Sequence, residues 1–156
     1  MKTRQNKTKF VEDFQKEYNE KVITMELAQL IANDSVLSEL KLKKTKDSWG
    51  LIVITDSSVY FYKPTTPLTV FSIPIVSNSE EEEKDQIVKL SDLKGLCFSK
   101  TKTSFFASLF IPENSRTLDV TFIDSNNMQR KFAFLLNNKV THIMTLLPTA
   151  MCNNFN

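Results

Sequence analysis

The chain has 156 residues, 20 of them basic and 18 acidic, for a formal net charge of +2, and 41% of it is apolar. That length fits one domain with an appendage, and the apolar share suffices for a buried core. The near-balanced charge argues against a dedicated nucleic-acid binder, whose affinity rests on a large basic excess. Gly50 and Gly95 are the two glycines, which excludes a glycine-rich phosphate loop, and the two cysteines, Cys97 and Cys152, are too few and too far apart for a disulfide framework or a zinc site.

Residues 1–7 are polar and read as a frayed end. Phe10, Phe14, Tyr18, Val22 and Met25 then recur at helical spacing, with Glu12, Asp13, Lys16, Glu17 and Lys21 on the other face. Thr8 suits an N-cap. The pattern runs through Leu27, Leu30 and Ile31 to a turn at Asn33–Asp34, with a bend near Thr24 able to divide it in two. Segment 1–34 is therefore expected as a helical extension, packed on the domain or connecting it to a larger protein.

After Asp34 the period changes to two. Val36, Ser38, Leu40 and Leu42 set one face of an expected strand ending in lysines. Leu51–Thr55 and Val59–Tyr62 predict an antiparallel hairpin around Asp56–Ser57. Residues 64–86 read as an insertion broken by Pro64, Pro67 and Pro74, with room for an edge strand at Val70–Val76. The run Glu80–Glu83 reads as a solvated loop, with an acidic docking peptide as the alternative. Further strands are expected at Gln86–Leu90, Leu93–Ser99 (where Cys97 reads as a buried thiol), Thr103–Ile111, Leu118–Ile123 and Met128–Leu136. A short helix over Lys139–Leu147 is ended by Pro148. No secretory leader follows Met1, and no apolar run approaches the roughly 18 residues of a membrane span. The chain reads as soluble and cytoplasmic.

The stretch Leu40–Lys44, Trp49, Ile52–Thr55, Asp56–Ser58 and Val59–Lys63 resembles the start of a pleckstrin homology (PH) domain. In that family a first strand ending in lysines leads through a basic loop to a tryptophan, then a run of the type VLTD, a turn and LYYYK. Leu118–Ile123, Asn126–Leu136 and Lys139–Leu147 are similar in order and spacing to the family's last two strands and closing helix. The resemblance spans about residues 36–148. It implies a mostly-β fold: a seven-stranded antiparallel PH-like barrel or sandwich, capped by a C-terminal helix and here carrying an extra N-terminal helix. The expected organisation is an N-terminal extension at 1–34, a PH-like domain at 35–150 with insertions at about 64–86 and 100–116, and a tail at 151–156.

The resemblance also implies a site. Basic residues of the first hairpin hold phosphate groups in phosphoinositide-binding members, which here points to Lys41, Lys43, Lys44, Lys46 and Lys63. Alternation would put Lys41 and Lys43 opposite Leu40 and Leu42. A second candidate surface is Phe105, Phe106 and Phe110, with Leu109: core if this segment is a buried strand, a partner site or membrane wedge if exposed. Nothing suggests catalysis. His142 is the only histidine, no serine stands in a nucleophile elbow, and no cofactor is expected. The expected function is a non-catalytic adaptor module, attracted weakly and peripherally to anionic phospholipid. The alternative is a protein–protein interaction module of a larger assembly with no specific lipid ligand.

Overall fold

The computed structural model describes residues 7–44, 48–64, 85–100, 116–137 and 140–147. Seven strands form a single sheet: β1 (Val22–Ile31), β2 (Trp49–Thr55), β3 (Val59–Lys63), β4 (Gln86–Lys89), β5 (Cys97–Lys100), β6 (Thr117–Ile123) and β7 (Gln129–Leu136). Among the described residues three α-helices accompany them: α1 (Lys7–Tyr18), α2 (Asp34–Glu39) and α3 (Val140–Leu146). The strand order is β4-β3-β2-β1-β7-β6-β5 and every pairing is antiparallel. Neighbours in sequence pair as hairpins on either side, and the last strand returns to the first. The sheet opens between β4 and β5, so it is not a closed barrel. The fold is mostly β, as the sequence led one to expect.

Strand β1 is the seam. Val22–Gln29 pair with β2, while Ala28–Ile31 pair with β7. Side chains alternate about it into two cores. The main core takes Ala28 and Leu30 of β1, Ile52 and Ile54 of β2, Val59 and Phe61 of β3, Phe132 and Phe134 of β7, and Ile143 of α3. A smaller core on the outer face takes Met25, Leu27, Leu51, Val53 and Tyr60, and is covered by Phe10 and Phe14 of α1.

This two-sided burial corrects the reading of segment 1–34. The helix ends at Tyr18, where Asn19 turns the chain with a φ of 53°, and Val22–Ile31 is a strand of the sheet rather than more helix. Residues 25–28 are all buried because both faces of β1 are covered. A strand covered on both faces loses its alternation, and its apolar run then fits a helical spacing equally well. Thr8 lies inside α1 and does not cap it.

The second correction concerns Val36–Leu42. Asn33 caps a helix here: its side chain accepts the Val36 amide at 2.9 Å, and α2 follows. Val36 and Leu40, four apart, are both buried, which a helix satisfies as well as a strand. The expected strand at Leu93–Ser99 is also shorter, since Leu90–Asp92 form a single 3-10 turn and β5 begins at Cys97, whose thiol is half-buried. The possible strand at Val70–Val76, the segment Thr103–Ile111 and the C-terminal tail lie outside the described residues.

Gly50 has a packing reason. A Cβ there would sit 2.7 Å from the Phe61 ring and 2.6 Å from the Tyr62 carbonyl oxygen. The Phe61 ring lies across the glycine, 1% exposed, with the Phe134 ring 5.2 Å away.

Candidate functional site

The lysines singled out from the sequence follow α2. The Lys41 amide donates to Ser38 O and the Leu42 amide to Leu37 O, at 3.0 and 2.9 Å. Lys41 itself takes a φ of 56°, which reverses the chain. Leu40 and Leu42 are buried and pin this turn to the main core. Between and after them Lys41, Lys43 and Lys44 are all exposed. Lys41 and Lys43 thus point away from the core as expected, but from a helix-terminating turn and not from a strand face.

The candidate set divides. Lys44 pairs with Asp34 at 3.0 Å, with both side chains 75% exposed. Lys63 is on β3 and only 7% exposed, so it is not available to a surface-bound anion. Lys46, Phe105, Phe106 and Phe110 lie outside the described residues. Lys41 and Lys43 have no carboxylate within ion-pair distance among the described residues.

The β6–β7 turn stands beside this lysine turn, because the Ser125 hydroxyl donates to Glu39 at the end of α2, at 2.6 Å. Asp124 builds that turn. Its carboxylate accepts the amides of Asn126 and Met128 at 2.9 and 2.8 Å and the Arg130 guanidinium at 2.6 Å. The Met128 amide bond first, and the Arg130 bond next, hold the Asp124 carboxyl below the usual aspartate range. Lys94 donates to Asn127 at 3.0 Å and brings a further exposed cation to the same turn. Met128, at its end, is 55% exposed. The acids of this region are thus engaged: Asp34 by Lys44, Glu39 by Ser125 and Asp124 by Arg130. A shallow groove of about 480 Å³ runs from Lys41 to Lys89 between Glu39–Leu42 and the edge strand β4.

Sequence reasoning did not find Lys94 or the Asp124 node's link to α2. Neither has a local signal, since the contacts join residues 33 and 86 apart. It also did not find Glu20, which sits just before β1. Its carboxylate accepts hydrogen bonds from Thr55 at 2.5 Å, Ser58 at 2.9 Å, Tyr60 at 3.0 Å and Lys89 at 3.4 Å. Burial alone would raise the Glu20 carboxyl, but the bonds from Thr55, Ser58 and Tyr60 outweigh it and leave the group below the usual glutamate range. This node ties the α1–β1 connection to the β2–β3 hairpin and to β4. It is a structural tie, with four hydrogen bonds converging on one carboxylate.

Among the described residues no group of three or more His, Cys, Asp or Glu is placed to hold a metal ion, and no helix is long and apolar enough to cross a membrane. No family model, curated protein or solved structure matches the chain.

Proposed function

We propose that the chain is a non-catalytic binding module of the PH type, attracted peripherally to anionic phospholipid at the end of the sheet that carries the α2–β2 and β6–β7 turns. The observation that carries this reading is the set of exposed lysines on a turn fixed by two buried leucines, with the neighbouring acids engaged elsewhere. The PH resemblance is supported by a strand order in which β7 returns to β1, the sheet opens between β4 and β5, and a helix follows the last strand. Met128 offers an exposed apolar side chain to the same interface.

The chemistry sets the strength. Lys41, Lys43 and Lys94 lack a carboxylate partner among the described residues. At about 1 kcal/mol for each lysine near an anionic leaflet, they supply about 3 kcal/mol, or roughly a hundredfold in partitioning. Lys44 adds less, because it exchanges an existing partner. Such an attraction is reversible and salt-labile, as suits a module that works at the anionic cytoplasmic leaflet without entering the membrane. It does not select one headgroup, since the lysines are point charges on flexible stems without a planar fork.

Co-sedimentation with vesicles tests this. The chain should pellet with phosphatidylcholine vesicles containing phosphatidylserine at low salt. It should stay in solution with phosphatidylcholine alone, and also at about 1 M salt, where the screening length falls to about 3 Å. An absence of lipid-dependent pelleting at low salt would remove the reading.

A further inference from the structure

Helix α1 lies over the outer face of the sheet, and a groove of about 330 Å³ runs between it and the edge formed by β3 and β4. Its apolar lining is Phe10, Phe14 and Tyr18 of α1, with Tyr62 and Ile87 from the sheet. The rings are set at fixed angles: Phe10 stands edge-on to Tyr62 at 5.2 Å, and Phe14 contacts Tyr18 at 4.5 Å. The charged lining is of one sign. Asp13 and Glu17 stand one helical turn apart on the α1 rim, and Asp85 faces them at the start of β4 and accepts the Tyr62 hydroxyl.

Among the described residues no lysine or arginine lines this groove, and none lies within ion-pair distance of Asp13 or Glu17. Carboxylates four apart on a helix repel one another, so Asp13 and Glu17 together work against α1. It suits a cation. Aromatic faces attract an ammonium or guanidinium group, the carboxylates neutralise it, and an apolar floor accommodates its methylene stem. The volume lies at the small end of ligand pockets, which span about 300–1,000 Å³, and so fits one or two side chains better than a cofactor.

We propose that the groove between α1 and the β3–β4 edge receives a lysine or arginine side chain from a basic peptide segment of a partner protein. The rings of Phe10, Tyr18 and Tyr62 flank its stem, and Asp13 and Glu17 hold its charge, while Asp85, which accepts the Tyr62 hydroxyl, adds to the negative field of the rim. This site takes a ligand opposite in sign to that of the lysine turn, and it stands or falls independently of membrane attraction.

The test is an amide chemical-shift titration of the full chain with a blocked tetralysine peptide at low salt, with blocked tetraglutamine as the neutral control. Shifts should saturate and concentrate on residues 10–18, 62 and 85–87 with tetralysine and be absent with tetraglutamine. The double substitution Asp13→Asn with Glu17→Gln should weaken tetralysine by about tenfold, as expected for the loss of two partly exposed ion pairs. Both positions are exposed, so the amide spectrum of the free protein should be retained. Glu12→Gln, exposed on α1 but outside the groove, should change affinity less than about twofold by the same reasoning. Shifts spread over other acidic surfaces, equal response to tetraglutamine, unchanged affinity in the double variant or an equal loss in Glu12→Gln would each overturn the proposal.

Discussion

Replacing Gly50 by alanine places a methyl group where the structure has no room for it. Carbon atoms in contact prefer about 3.5–4.0 Å, whereas the new Cβ would meet Cζ of Phe61 at 2.7 Å, Cε2 at 2.8 Å and the Tyr62 carbonyl oxygen at 2.6 Å. The ring cannot swing freely, because Phe61 is fully buried against Phe134. The carbonyl cannot move without disturbing β3. Overpacking of this kind costs about 1–3 kcal/mol, and the backbone contact places it in the upper half of that range. The smaller entropy of the unfolded alanine chain offsets about 0.4–1 kcal/mol. A net loss of about 1–2 kcal/mol remains, which for a chain of this size lowers the melting temperature by about 2–8 °C. Thermal unfolding followed by circular dichroism reads this directly. A double-mutant cycle with Phe61→Leu sharpens it: the smaller side chain vacates the space, so the double variant should be more stable than the sum of the two single losses by about 1 kcal/mol. A Gly50→Ala protein as stable as the parent, or an additive cycle, would refute the packing of Phe61 over Gly50.

Three further outcomes follow from the polar nodes and the lysine turn. Glu20→Gln should destabilise the fold by about 1–2 kcal/mol at neutral pH through weakened charge-assisted bonds. Because the folded carboxyl titrates below its usual range, that difference should be complete above about pH 5 and shrink as pH falls through the folded value. Urea midpoints that keep the same difference to acid pH would contradict the node. Asp124→Ala should release the Asn126 and Met128 amides, raising their hydrogen exchange by about tenfold or more while β1 and β2 stay protected; unchanged exchange at Met128 would contradict the turn's construction. Lys44→Gln should leave the urea midpoint unchanged within about 0.5 kcal/mol, since its pair with Asp34 is largely solvated, and a larger loss would show that the pair supports α2.

How much of this was legible in the sequence differs by region. The β2–β3 hairpin was, because Leu51–Thr55 and Val59–Lys63 are short, β-rich and separated by a turn whose hydroxyl chemistry is local: the Thr55 side chain accepts the Ser58 amide at 2.8 Å. Strands β6 and β7 were legible for the same reason. Strand β1 was not, because it is covered by α1 on one side and the main core on the other, and residues Met25–Ala28 carry no alternation to read. Val36 and Leu40 fit both periods, and the Asn33 cap decided the matter. For the candidate site, the exposure of Lys41, Lys43 and Lys44 matched the lysine-rich motif. Burial of Lys63 could not be anticipated, since it depends on which face of β3 meets the core. The approach of Lys94 and Ser125 to this end of the sheet depends on strand order, which no local pattern encodes.

The membrane account is tested most directly by amide relaxation of the full chain beside nanodiscs that contain phosphatidylserine and a headgroup-attached spin label. Residues 41–44 and 124–128 should broaden first, residues 10–18 on the outer face should stay sharp, and Lys41→Gln with Lys43→Gln should weaken the partitioning behind the broadening by about thirtyfold at low salt. Broadening centred on α1, or equal broadening in the lysine variant, would contradict it.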